Sequence, residues 1–159
     1  MKVSYNPSNG SILTVVRDSE NLQGAVLEIP NDNLAEDILR DLSKYRINLA
    51  TKTIERRPYI LLSTTATDTN ANGIPDVNAD GTTPFPITLI AYNSDGTQDT
   101  PAGYIVNFQS IEDTILSAYR VILANATATI AAYSTKPGIR IVIASCNEAF
   151  IEPFEIEFV

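Results

Sequence analysis

Histidine is absent from this 159-residue chain, and cysteine occurs once, at Cys146. Without histidine the chain lacks the commonest general base, the usual partner of a Ser or Cys nucleophile, and a common zinc ligand. One thiol and no imidazole exclude a structural zinc site, and a single thiol excludes an internal disulfide. The residues around Cys146 read as strand, so a buried structural thiol is expected. Positive charge is also scarce: 11 Lys and Arg stand against 19 Asp and Glu, a net charge of −8. A chain of that sign repels phosphate backbones, so nucleic acid is not expected as a partner. There is no Walker or dinucleotide-type glycine loop. No apolar run approaches the ~20 residues of a membrane span. Met1-Lys2-Val3-Ser4-Tyr5-Asn6-Pro7 reaches Asn and Pro before any useful apolar run, so no secretory leader is read there. The expectation is a protein of the cytosol, or one that leaves without a cleaved peptide, as in a virus particle. Paired carboxylates are the remaining route to an enzyme, and no pair is singled out.

What is present is a foldable chain. Hydrophobic residues make up 44% and charged residues 19%, the balance of a globular protein. The length fits one medium domain or two small ones. The pattern changes between residues 57 and 58. In the first part, "KVSYNPSNGSILTVV" alternates, turns at Asn6-Pro7-Ser8-Asn9-Gly10, and alternates again, a hairpin in which Pro7 sets φ while Asn9 and Gly10 tolerate positive φ. "GAVLEIP" is a third short strand. In "NDNLAEDILRDLSKY", Leu34, Ile38, Leu42 and Tyr45 form one stripe of a 3.6-residue period and predict a helix. Asn33 and Glu36 have capping-box spacing, and Asp32 and Asp37 suit a helix N-terminus. "YRINLATKTIERRP" reads as two strands about a turn near Ala50-Thr51-Lys52. Residues 1–57 are thus expected to form a small α+β unit.

From Pro58 the chain becomes mainly β. "YILLSTTAT", "PITLIAYN", "YIVNFQS", "YRVILAN", "ATATIAAYS", "IRIVIAS" and "FEIEFV" are short runs rich in Ile, Val, Thr, Tyr and Phe. Asp80-Gly81, Asp95-Gly96, Pro101-Ala102-Gly103 and Lys136-Pro137-Gly138 separate most of them. Seven such runs predict a β-sandwich over residues 58–159. Ile87, Leu89 and Ala91 share one face of their strand, as do Ile139, Ile141 and Ile143 of theirs. "IEDTIL" (111–116) also fits a helical turn.

Ala79-Asp80-Gly81-Thr82, Ile87 to Tyr92, Asp95-Gly96, Val106-Asn107-Phe108, Ala126 to Ala131, and Pro137-Gly138 through Ala144 form a series. It resembles the bacterial immunoglobulin-like domains of the invasin and intimin type, over residues 59–159. Asn125-Ala126 stands where that family usually has Asn-Gly. The resemblance implies an immunoglobulin-like β-sandwich used in adhesion, spacing or display, with no catalytic residues. Similar sandwiches recur in tailed-phage particles, and "YNPSNGSIL" and "YRINLATKTIERRP" resemble segments of phage structural proteins.

The stretch "DTNANGIPDVNADG" holds the candidate chemistry. Asp68-x-Asn70-x-Asn72-Gly73 and Asp76-x-Asn78-x-Asp80-Gly81 repeat one pattern eight residues apart. Alternating side-chain oxygens followed by Gly let a chain wrap around Ca²⁺, which takes six to eight oxygens. The stretch resembles thrombospondin type 3 calcium loops and, less closely, dockerin loops. Counting Asp68 as position 1, the bidentate Glu of an EF-hand would fall on Ala79, so affinity is expected to be modest. Asn, Asp and Gly make the same turns without metal, so a Ca²⁺ loop and a metal-free turn both stand.

Lys52, Arg46, Arg56 and Arg57 form a basic cluster suited to solvent or to an acidic partner surface. Tyr92, Tyr104, Phe108, Tyr119, Tyr133, Phe150, Phe154 and Phe158 fit core and sheet packing better than a sugar-stacking platform. Pro84 and Pro86 suit a strand start or edge. Asn125-Ala126-Thr127 is a glycosylation sequon, of no weight without an export signal. The sequence as a whole predicts a non-enzymatic structural protein of a phage particle, a capsid decoration or tail-associated protein. Its expected partners are other virion proteins and further copies of itself, as a homo-oligomer or a multi-copy assembly. The alternatives are a bacterial cell-surface adhesion or spacer module and an accessory module of a carbohydrate-active enzyme.

Overall fold

The computed structural model describes residues 1–16, 22, 25–29, 33–100 and 103–159. Two compact units divide the chain, Met1–Arg57 and Pro58–Val159.

In the first unit, β1 (Lys2–Tyr5) lies between β2 (Ile12–Val16) and β3 (Ala25–Glu28), antiparallel to both. The expected β1–β2 hairpin forms, with Gly10 N–H donating to Asn6 C=O. Gly10 has φ 74°, and a Cβ there would come within 2.1 Å of Ile47 carbonyl oxygen. Only glycine fits, because Gly10 C=O also accepts from Ile47 N–H at 2.8 Å. Val3, Tyr5 and Ile47 are the core of this unit. The hairpin β4 (Tyr45–Asn48) and β5 (Thr53–Arg56) turns at residues 49–52, as expected.

The helix α1 (Asn33–Arg40) is shorter than the apolar stripe predicts. Asp41 is extended, and its carboxylate accepts from Ser43 N–H, capping a separate 3₁₀ turn at Leu42–Lys44. Local capping by Asp41 therefore breaks the period. Tyr45 belongs to β4, and Leu34 is 42% exposed. The buried helical residues are Ala35 and Ile38. The capping-box expectation for Asn33 and Glu36 rests on the Asn33 side chain, which, like Asp32, lies outside the described residues.

The second unit is an immunoglobulin-like β-sandwich. Its strands are β6 (Tyr59–Ser63), β7 (Asp76–Val77), β8 (Phe85–Tyr92), β9 (Ile105–Phe108), β10 (Ile115–Leu116), β11 (Arg120–Ile122), β12 (Thr127–Tyr133), β13 (Gly138–Val142), β14 (Ala144–Ser145), β15 (Phe150–Ile151) and β16 (Phe154–Phe158). One sheet runs β10-β12-β8-β6-β15. Opposite it lie β11-β9-β14 and β13-β16-β7. Only Ile143 separates β13 from β14, and its C=O accepts from Gln109 N–H at 3.0 Å. Residues 138–145 thus act as one strand that pairs first with β16 and then with β9, joining the two ladders.

All seven runs seen in the sequence are strands. β8 alternates as expected, with Phe85, Ile87, Leu89 and Ala91 buried. They meet Val106, Phe108, Val142, Ile156 and Phe158 of the opposite layer in one apolar core. Phe85 and Phe158 pack edge to face, centroids 6.2 Å apart. Pro86 pairs with Ala131, while β6 pairs with β8 only from Thr88 onward, so its missing N–H falls at a strand start. Asn125 and Ala126 both have positive φ, 51° and 65°, so the β11–β12 hairpin makes a left-handed turn without glycine. Residues 111–116 hold a turn and the short β10 rather than a helical turn.

Candidate functional site

The 68–81 loop leads from β6 into β7 and on to β8. Its three carboxylates each turn toward nearby donors. Asp68 accepts from Asn72 N–H at 3.2 Å and Gly73 N–H at 2.7 Å. Asp76, only 4% exposed, accepts from Thr69 N–H, the Thr69 hydroxyl and Asn70 N–H. Asp80 accepts from the backbone and hydroxyl groups of Thr82 and Thr83. Asn70 and Asn72 each donate a side-chain amide to Glu157 Oε2, at 2.9 and 2.7 Å. Asn78 is exposed.

Of the six residues singled out in the sequence, Asp76 opens β7 and the other five lie in the connections on either side of it; Asn70 and Asn72 tie the loop to β16 through Glu157. Local spacing gave no sign of Glu157, which reads as one polar position of an alternating strand. Among the described residues, no three Asp, Glu or Cys side chains gather into a metal-holding group. The Thr83 hydroxyl, followed by backbone N–H donors, holds Asp80 well below the usual carboxylate range. The Thr69 hydroxyl lowers Asp76 in the same way, against the opposing effect of burial.

Other sequence candidates are accounted for within their own units. Arg46 Nε lies 2.6 Å from Glu55 Oε1 across the β4–β5 hairpin. Lys52 sits over the Tyr5 ring, 5.6 Å from its centroid. Burial pushes the Cys146 thiol up, and its Sγ lies 3.2 Å from Glu148 Oε2. Of the aromatic residues named from the sequence, Phe108 and Phe158 are in the core, Tyr92 stacks on Tyr59 at 5.1 Å, and Tyr119 is exposed. They do not share one surface.

A second feature lies on the outward face of the joined β11-β9-β14/β13-β16-β7 layer. Ile139 and Ile141 are 49% and 51% exposed, and Ile143, Ile105 and Ile122 are exposed beside them. Pairing aligns Ile122 with Ile105, and Ile139 and Ile141 with Glu157 and Glu155. The expected shared face of Ile139, Ile141 and Ile143 is real, and it points to solvent. The first unit has eight basic and eight acidic residues, the second three and eleven, so the net −8 resides in the sandwich.

No protein-family model and no curated protein matches the chain. Among solved structures, the D00-D0 domain of intimin aligns with 22% identity and TM-score 0.47, over 66% of this chain and 48% of that one. A glycosyl hydrolase family 2 member from Bacteroides cellulosilyticus DSM 14838 aligns with 21% identity and TM-score 0.50, over 65% of this chain and 15% of that one. The chain thus spans about half of the intimin fragment and a small part of the hydrolase. At these identities the likeness is one of fold: Pro58–Val159 is an immunoglobulin-like β-sandwich.

Proposed function

We propose that this chain is a non-enzymatic structural protein of a phage particle, a capsid decoration or tail-associated protein that meets its neighbours through the sandwich. The observation that carries this reading is the exposed isoleucine face, a surface suited to contact. The carboxylates of the 68–81 loop are meanwhile engaged by the loop's own donors and brace it, so the loop serves as a metal-free staple. The test is purification of particles from an infected culture, followed by electron microscopy. The expected result is the chain in repeated positions on the capsid or tail. A strictly monomeric protein that never accompanies particles overturns the reading.

A bacterial surface adhesion or spacer module is the second reading. The Ala79–Ala144 series with its invasin-type pattern, carried on a sandwich, favours it. A gene set among wall-anchoring or secretion genes, with the protein detected on intact cells, would select it over the particle.

A further inference from the structure

The outward face of the second layer carries a basic residue at one side and acidic residues at the other. β11 places Arg120 beside Ile122 at one margin. β16 places Glu155 toward the other margin, beside Glu157, whose carboxylate is held by Asn70 and Asn72, with Ile105, Ile139, Ile141 and Ile143 on the strands between. The inward residues of the same strands, Val106, Val142, Ile156 and Phe158, are in the core, so the isoleucines are surplus to it. Among the described residues, the side chains of Arg120 and Glu155 make no hydrogen bond or ion pair.

We infer that this face pairs with the same face of a second copy, about a two-fold axis lying in the plane of contact and perpendicular to the line from Arg120 to Glu155. Such an axis turns one face over onto the other. The basic margin of each copy then lies over the acidic margin of its partner, and the isoleucines meet between them. A face with one sign of charge at both margins would repel its own copy; this one is self-complementary. The four strands of the face, Arg120–Ile122, Ile105–Phe108, residues 138–145 and Phe154–Phe158, cover roughly 300 Å² per copy at ordinary strand spacings. Doubled, this is smaller than a standard specific interface, so an isolated pair is weak and is strengthened when many copies are held together. The inference deepens the proposed function, on which it rests, by naming the surface and its partner.

The test is sedimentation velocity of the full chain from about 1 to about 500 μM. The expected result is a shift from monomer to dimer within that range. Ile141→Thr with Ile143→Thr should weaken pairing at least about tenfold, since both residues lie in the contact. Arg120→Glu should weaken it by about tenfold, and adding Glu155→Arg should restore it. Unchanged melting temperatures establish that the variants remain folded. A monomer at every concentration overturns the pairing, as does wild-type association of the isoleucine variant or no rescue by the charge swap. A monomer that still resides on particles sinks this inference and leaves the proposed function standing. A dimer that never accompanies particles does the reverse.

Discussion

Thr69 grips Asp76 with two donors: its N–H lies 2.7 Å from one carboxylate oxygen and its hydroxyl 2.6 Å from the other. This pair closes the loop at the point where β7 joins β16 in parallel. Thr69→Val removes one donor, while Asp76→Asn turns an amide donor toward groups that are themselves donors. Both should lower Tm, Thr69→Val by on the order of 5 °C and Asp76→Asn by more. Differential scanning calorimetry would check the order, and an equal or reversed effect would contradict the staple.

The same bonding predicts the response to calcium. A loop braced by its own backbone donors should show the same Tm in EGTA and in millimolar Ca²⁺. A metal that binds only the native state adds about 2.7 kcal/mol at 100 times its Kd. A calcium-dependent rise in Tm would therefore replace the staple with a metal loop.

Acid should expose these carboxylates. Asp76, Asp80 and Asp95 are each lowered, chiefly by threonine hydroxyls. A carboxyl lowered by folding contributes stability that is fully present above its unfolded value, near pH 4. That contribution drains away as pH falls through the lower folded values. With no histidine in the chain, Tm should be nearly flat from about pH 5.5 to 7.5 and fall below about pH 4. A marked transition near pH 6.5 would contradict this.

Gly10 offers a test confined to the first unit. Gly10→Ala sets a methyl against Ile47 carbonyl oxygen and requires positive φ of an L side chain. The change should cost about 3 kcal/mol or more, combining backbone strain with a lost hydrogen bond. Amide exchange should show β1, β2 and β4 opening while β8 and β12 stay protected.

The local signals were strongest where one segment answers its own needs. Asn6 to Gly10 turned as its residue types demand, and β8 alternated because one of its faces enters the core. The helix forms but stops short of its apolar stripe: Leu42 and Tyr45 match the helical period, whereas Asp41 bonds Ser43 and ends it. The two-residue strands Asp76–Val77, Ile115–Leu116, Ala144–Ser145 and Phe150–Ile151 have no periodicity of their own, since their partners define them.

By itself, the sequence determined the division near residue 57, the seven main strands of the sandwich and the turn-forming character of residues 68–81. Those features depend on spacing and residue type within short windows. Only the tertiary structure decided that Glu157 would brace the loop, that residues 138–145 would join two ladders, and that the isoleucines of one strand would face water. Alternation divides a strand into two faces, but it cannot say which face a second layer will cover.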